Sequence, residues 1–183
     1  MNKPNYPNSP MQKGSGQVQL YRYVYESPLG DLLLVSDGKS LLQLCIAECN
    51  EQEDSPDEVL SQACNWLDQY FAGQQPSFMP SLAPNGTAFQ QLVWQLLLEI
   101  PYGCTTSYGL LAKKAAALLG KEHMSAQAIG QAVGSNPIAI FIPCHRVVGS
   151  KGQLTGYAWG LERKEKLLAL ERAGYTASAV SRD

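Results

Sequence analysis

Between residues 73 and 86 the sequence reads GQQPSFMPSLAPNG, with three prolines and two glycines. Regular structure cannot run through such a stretch, because proline fixes φ and lacks a backbone donor while glycine penalises helix and strand alike. The 183-residue chain is therefore expected to fold as a front unit at 17–73 and a rear unit at 87–174, joined by a linker at 74–86.

The two units differ in hydrophobic period. In the front unit, QVQLYRYVY (17–25) alternates as a strand does. DLLLVS (31–36) and SLLQLCI (40–46) flank Asp37-Gly38, which predicts a hairpin with a type I′ turn. An acidic loop then leads to a helix at 57–72, with Val59, Ala63, Leu67, Tyr70 and Phe71 at helical spacing and Gly73 placed to end it. This is a small α+β unit, and nothing in it looks catalytic. The rear unit is helical. Thr87 with Gln90 makes a capping box for a helix to Ile100, with Phe89, Val93, Leu96, Leu97 and Ile100 on one face. Pro101-Tyr102-Gly103 breaks it; Ser107 caps a second helix through Leu119, and Ser125 a third that Asn136-Pro137 ends. Three such helices fit a helix-turn-helix, and equally a packing unit with no ligand.

Apolar residues are 45% and charged residues 16% of the chain, as in soluble globular proteins. No stretch approaches the roughly 18 apolar residues of a membrane span, so no membrane association is expected. Residues 1–16 lack the apolar run of a signal peptide and are expected to be a disordered tail, and residues 175–183 are expected to be a C-terminal tail. Five sparse cysteines fit a reducing compartment, the cytoplasm, or the nucleus if the source is eukaryotic. Cys45 and Cys49 have no second Cys or His pair to complete a metal site, and only His123 and His145 are available, so no metal is expected. The net charge of −2 hides an asymmetry: residues 1–83 hold four Lys/Arg against ten Asp/Glu, and residues 84–183 ten against six. Polyanion binding, if present, belongs to the rear unit.

In the third helix, Ala126, Gly130 and Gly134 recur every four residues as a smooth stripe. Glycine inside a helix costs up to about 1 kcal/mol, so something approaches that backbone closely: a neighbouring helix or a narrow DNA groove. The helix has no Arg, the usual reader of guanine in the major groove, so sequence-specific readout is not expected.

The apolar run Ile138–Ile142 predicts a buried strand, stopped by Pro143 directly before Cys144-His145. A cysteine attacks as thiolate, and imidazole is its usual activating base. On extended chain neighbours point opposite ways, so His145 would act through a water or after a turn. Cys-His adjacency alone fits a buried structural pair as well. Glu171 adds to it: in LERKEKLLALERA (161–173) it shares the inner face with Leu161, Leu167 and Leu168, and a buried carboxylate needs a partner. His145 can be that partner, in a Cys–His–Glu relay; an edge position beside Arg172 is the alternative. Between them GSKGQLTGYAWG (149–160) offers Tyr157 and Trp159 as flat faces for a planar ligand, or is a plain connection.

The segment from Ile142 to Val148, IPCHRVV, closely resembles the active-site signature of the O6-alkylguanine-DNA alkyltransferases (methylated-DNA–protein-cysteine methyltransferases). GTAFQQLVW (86–94), IPYGCTTSYG (100–109), AIGQAVGSNP (128–137) and LTGYAWGLERK (154–164) resemble further family blocks in family order, and SPLGDLLLV (27–35) its less distinctive N-terminal domain. The resemblance implies an α+β chain: a small ribonuclease H-like α/β domain followed by a mostly helical winged helix-turn-helix domain. It implies a monomer that enters the minor groove of double-stranded DNA, flips O6-alkylguanine (with O4-alkylthymine a second candidate) and takes the alkyl group irreversibly, once, without cofactor. Carried over, Cys144 is the acceptor, His145 its base through a water, and Glu171 completes the relay. Tyr108 assists nucleotide rotation and donates toward the guanine ring, and Asn136 is the hinge that braces the site. Ala126, Gln127, Ala128 and Gly130 would meet DNA; Val147, Tyr157, Ala158 and Trp159 would surround the base. Arg146 is placed with this binding set although it looks structural. One departure is Gln127, where many members carry an intercalating arginine. Three rivals remain. A non-repairing lesion binder of this kind lacks the acceptor cysteine, a regulator sensing through Cys144 carries extra modules, and a cysteine hydrolase turns over.

Overall fold

In the computed structural model, residues 18–47 and 54–180 are described, the last five by backbone alone. Expectations for residues 1–16, for Cys49 and for 181–183 lie outside that range. Strands β1 (Tyr21–Tyr25), β2 (Leu32–Ser36) and β3 (Leu41–Ile46) form an antiparallel sheet in the order β1-β2-β3. β2 is central because LLLV is apolar on both faces, and every residue of it is buried. The β2–β3 hairpin is present, but its turn is not type I′. That type needs two consecutive left-handed residues, and of the turn residues only Gly38 has positive φ, at 81°. The Asp37 side chain instead accepts from the backbone of Lys39 and Ser40, 2.9 and 2.8 Å away, closing a longer loop.

Helix α1 (Glu58–Phe71) is capped by Asp57, whose side chain accepts from the Leu60 amide. The other Asp57 oxygen takes the hydroxyl of buried Ser36, tying helix to sheet. Leu60, Ala63, Leu67 and Tyr70 of α1 are fully buried.

The linker does not float. Leu41 of β3 donates to Ser81 and accepts from Ala83, and Leu44 donates to the Pro137 carbonyl at 2.9 Å. The outer edge of β3, otherwise a row of open backbone groups, is thus covered by the linker and by the rear unit. One hydrophobic cluster spans both units.

In the rear unit, α2 (Ala88–Leu98) opens with the expected capping box of Thr87 and Gln90. Strand β4 (Thr106–Ser107) precedes α3 (Tyr108–Leu118), capped by Ser107, and α4 (Ala126–Gly134), capped by Ser125. α2, α3 and α4 pack on one another, and Trp94 Nε1 pins α2 to the Ala132 carbonyl of α4 at 2.8 Å. Strand β5 (Val147–Val148) pairs in parallel with β4. The last helix, α5 (Leu161–Val180), continues past the expected end of the folded unit.

Two expectations are corrected. Residues Ile138–Ile142 are buried but form a tight turn, with Ile142 N bonded to the Ile138 carbonyl and Ile140 left-handed at φ 69°. An apolar run reports burial and not extension. Leu161 is exposed, because the first turn of α5 overhangs the core, and Lys164 takes the inner-face position instead.

Candidate active site

The tight turn at 138–142 delivers the chain into a single 3₁₀ turn, Cys144–Arg146. Asn136 holds that geometry from both sides. Its Nδ2 donates to the Ile142 carbonyl at 2.7 Å, and its Oδ1 accepts from the Ile138 amide at 3.0 Å. The 3₁₀ turn, not an extended strand, separates the directions of Cys144 and His145.

Cys144 lies at the wall of a cleft of about 1070 Å³. Around it stand Tyr108, Asn136, Tyr157, Ala158 and Trp159, with Ala126, Gly130 and Gly134 of α4 on the facing side. Neither α4 glycine is demanded by internal packing. A Cβ at Gly130 would make ordinary contact with the Tyr108 ring, and one at Gly134 would meet open space. The neighbouring-helix explanation of the stripe is therefore set aside. Tyr108 Oη reaches the Thr155 and Gly156 carbonyls only at 3.5 and 3.4 Å, so its proton is loosely committed.

Behind Cys144, His145 and Glu171 are both fully buried, and His145 Nε2 sits 2.7 Å from Glu171 Oε1. Arg146 Nε donates to Oε2 at 2.9 Å and its Nη2 to Oε1 at 3.0 Å, while the Gly103 amide reaches Oε2 at 3.1 Å. Burial alone pushes the Glu171 carboxyl up, but His145 and Arg146 outweigh it and bring it down to about 2. An ionised carboxylate accepts, so His145 carries its proton on Nε2. The other nitrogen, Nδ1, is buried with no hydrogen-bond partner among the described residues, which leaves a lone pair there.

Burial pushes the Cys144 thiol up, and the opposing Asn136 hydrogen bond and Lys164 charge do not reverse it. Burial likewise lowers His145, against the pull of Glu171. The resting pair is a neutral thiol and a neutral imidazole.

Lys164 stands at this site although the sequence pattern does not single it out. It is fully buried, and its Nζ donates to the carbonyls of Val147 and Thr155, both at 2.6 Å, and of Gly156 at 3.3 Å. It ties the 149–160 loop to α5 and sets a positive charge near the sulfur. Its spacing with Leu167, Leu168 and Glu171 on one helix face was the available signal. Tyr70 of α1, in the unit where nothing looked catalytic, bonds Glu171 Oε1 at 2.7 Å.

Two residues placed with the binding set face away from the cleft. Arg146 spends its donors on Glu171 and on the Ile100 carbonyl (2.6 Å), with its guanidinium over the Tyr102 ring. Val147 is fully buried, paired with Thr106 in the β4–β5 ribbon. Gln127 is exposed on α4 and Ala128 half-buried, beside Ala126 but outside the cleft wall.

Comparison with known proteins agrees along most of the chain. Residues 88–173 match the family described as 6-O-methylguanine DNA methyltransferase, DNA binding domain, and residues 20–84 its ribonuclease-like domain. A methylated-DNA–protein-cysteine methyltransferase of Methanosarcina acetivorans is 44% identical over 158 residues, covering 83% of this chain and 98% of that protein. One of Mycobacterium tuberculosis is 44% identical over 158 residues, covering 84% and 92%. The crystal structure of Mycobacterium tuberculosis O6-methylguanine methyltransferase superimposes with TM-score 0.73 at 41% identity, covering 85% of this chain and 94% of that one. That of Mycobacterium tuberculosis OGT in complex with DNA superimposes with TM-score 0.73 at 43% identity, covering 84% and 94%. With both domain types matched in order and relatives 44% identical covered along most of their length, the chain belongs to the 6-O-methylguanine DNA methyltransferase family.

Proposed function

We propose that this protein repairs DNA by direct reversal, moving the alkyl group of O6-alkylguanine onto Cys144 in one irreversible step. The observation that carries this reading is the thiol at an open cleft, backed by an imidazole whose Nε2 is fixed on a buried carboxylate and whose Nδ1 lone pair is unspent. Cys144 passes its proton, through one water, to Nδ1, and the imidazolium is stabilised by Glu171. The thiolate attacks the alkyl carbon; the S–C bond forms as the C–O6 bond breaks, and the electron pair stays on the purine. Tyr108 Oη donates to the ring as that charge develops, and the departing guanine takes up the proton the thiol gave. The thioether has no easy leaving path, so each molecule acts once. The chemistry asks for no cofactor.

DNA reaches the cleft along α4, whose small side chains suit a minor groove and whose lack of Arg gives little sequence preference. The alkylated guanine is flipped between Tyr157, Trp159 and the α4 backbone, at an expense of a few kcal/mol that weakened pairing reduces. The protein acts as a monomer. Incubation with a duplex containing O6-methylguanine, followed by intact mass and a second challenge with fresh duplex, tests this. One added methyl per chain and no activity on rechallenge are expected. Turnover without adduct would make it a hydrolase, and binding without adduct a lesion reader.

A further inference from the structure

We propose that Tyr70, carried by α1 of the N-terminal domain, is a positioning residue for alkyl transfer: its hydroxyl clamps the Glu171 oxygen that holds His145. The N-terminal domain is then a component of the active site and not only its support. The inference rests on the roles of Cys144 and His145 given above.

The ring of Tyr70 is immobilised. It is fully buried, stacked on Trp66 with centroids 5.1 Å apart, and edge-on to Phe71 and Tyr102 at 5.5 and 6.1 Å. Its hydroxyl donates to Glu171 Oε1 at 2.7 Å and lies 3.4 Å from His145 Nε2. Because Nε2 already carries a hydrogen, Tyr70 cannot donate to it. The phenol proton goes to Oε1, and the phenol lone pair offers the Nε2–H a second acceptor. The other imidazole tautomer would set the Nε2 lone pair against Oε1. Glu171 therefore sets the tautomer that leaves the Nδ1 lone pair free, and Tyr70 holds the oxygen that sets it. Burial and the Glu171 charge raise the phenol well above its ordinary value, so it stays a donor throughout.

Packing alone does not call for this hydroxyl, since phenylalanine fills the same slot. Nor does burial in this aromatic cluster force a polar atom to bond. Trp66 Nε1 and Tyr102 Oη beside it are buried with no hydrogen-bond partner among the described residues. Tyr70, by contrast, is joined to Glu171. The other groups facing His145 and Glu171 are Arg146 and Lys164, with Cys144, Tyr102 and Tyr157 near.

The test is Tyr70→Phe, which keeps the ring and its stacking. Single-turnover transfer from a duplex with O6-methylguanine is measured across duplex concentration and pH, alongside capture of Cys144 by iodoacetamide, mapped by peptide mass. One hydrogen bond to a charged group predicts a limiting rate about tenfold lower with unchanged duplex affinity. The acid limb of both reactions should move to higher pH, because a carboxylate short of one donor holds the imidazolium more tightly. If the variant melts early, difluorotyrosine at position 70, the stronger donor, should move that limb to lower pH. A folded Tyr70→Phe protein within twofold of wild type, with an unmoved limb, overturns the proposal. So does a loss that follows affinity or melting temperature alone. Wild-type protein that transfers nothing from DNA, while its iodoacetamide capture still depends on Tyr70, would sink the repair reading and leave the clamp standing.

Discussion

Glu171 accepts from Tyr70, His145, Arg146 and the Gly103 amide, and that saturation is why a carboxylate survives in the core. Its pairing with His145 was legible from the sequence, because a carboxylate on the Leu167–Leu168 face has to be paired. Tyr70 was not, because a tyrosine at helical spacing among apolar residues reads as core, and its partner stands far along the chain. Lys164 was hidden for a related reason: lysine on a charged helix reads as solvated until the carbonyls it serves are known. Replacing it tests its weight. Lys164→Met should leave the Val147 and Thr155 carbonyls buried without a donor and loosen the cleft loop. We expect a loss of about 2–4 kcal/mol in denaturant unfolding, with slower alkylation of Cys144. Wild-type stability with normal alkylation would mean that the ammonium contributes neither anchoring nor field.

At the scale of elements, the capped helices were read almost to the residue, since Thr87, Ser107 and Ser125 each cap through a side chain that the sequence shows, while Asp57, read as the first residue of its helix, caps it. The reactive turn was not. Five apolar residues carry no sign that Ile140 is left-handed; that follows from Asn136 gripping both ends of the turn, a contact made only after folding. The hairpin turn went astray similarly, because Asp37 uses its side chain where a type I′ turn would use its backbone. Helix α4 carries a prediction of its own. Gln127 is exposed beside the cleft, where an added charge would meet phosphate. Gln127→Arg should tighten duplex binding and steepen the log–log salt dependence by about 0.9 for each phosphate engaged. Titration by fluorescence anisotropy at several salt concentrations measures it, and an unchanged slope would place Gln127 away from DNA.

Across the whole molecule, the two units read as separate around the linker in fact share a core, a covered β3 edge and a relay. The linker composition was real, but composition cannot report that Ser81 and Ala83 pair with Leu41. Arg163 of α5 likewise donates to the Leu29 carbonyl at 2.8 Å. Acid should reveal this coupling. His145 is lowered from 6.5 in the folded protein, so the unfolded chain takes its proton first and stability declines as pH falls below that value. Glu171 is lowered from 4.5 to about 2, so its contribution is complete above 4.5 and drains away toward 2. Melting followed by circular dichroism should move to lower temperature between neutral pH and pH near 5. A flat profile there would mean that His145 protonates as easily folded as unfolded.

Cys45 borders the same cleft as Cys144, so the site of modification decides more than its occurrence. Peptide mapping after reaction with a duplex bearing an isotopically labelled methyl on guanine O6 reads that site directly. The account predicts one label per chain, on Cys144. Label on Cys45 or Cys104, or unlabelled protein with demethylated DNA, would contradict it.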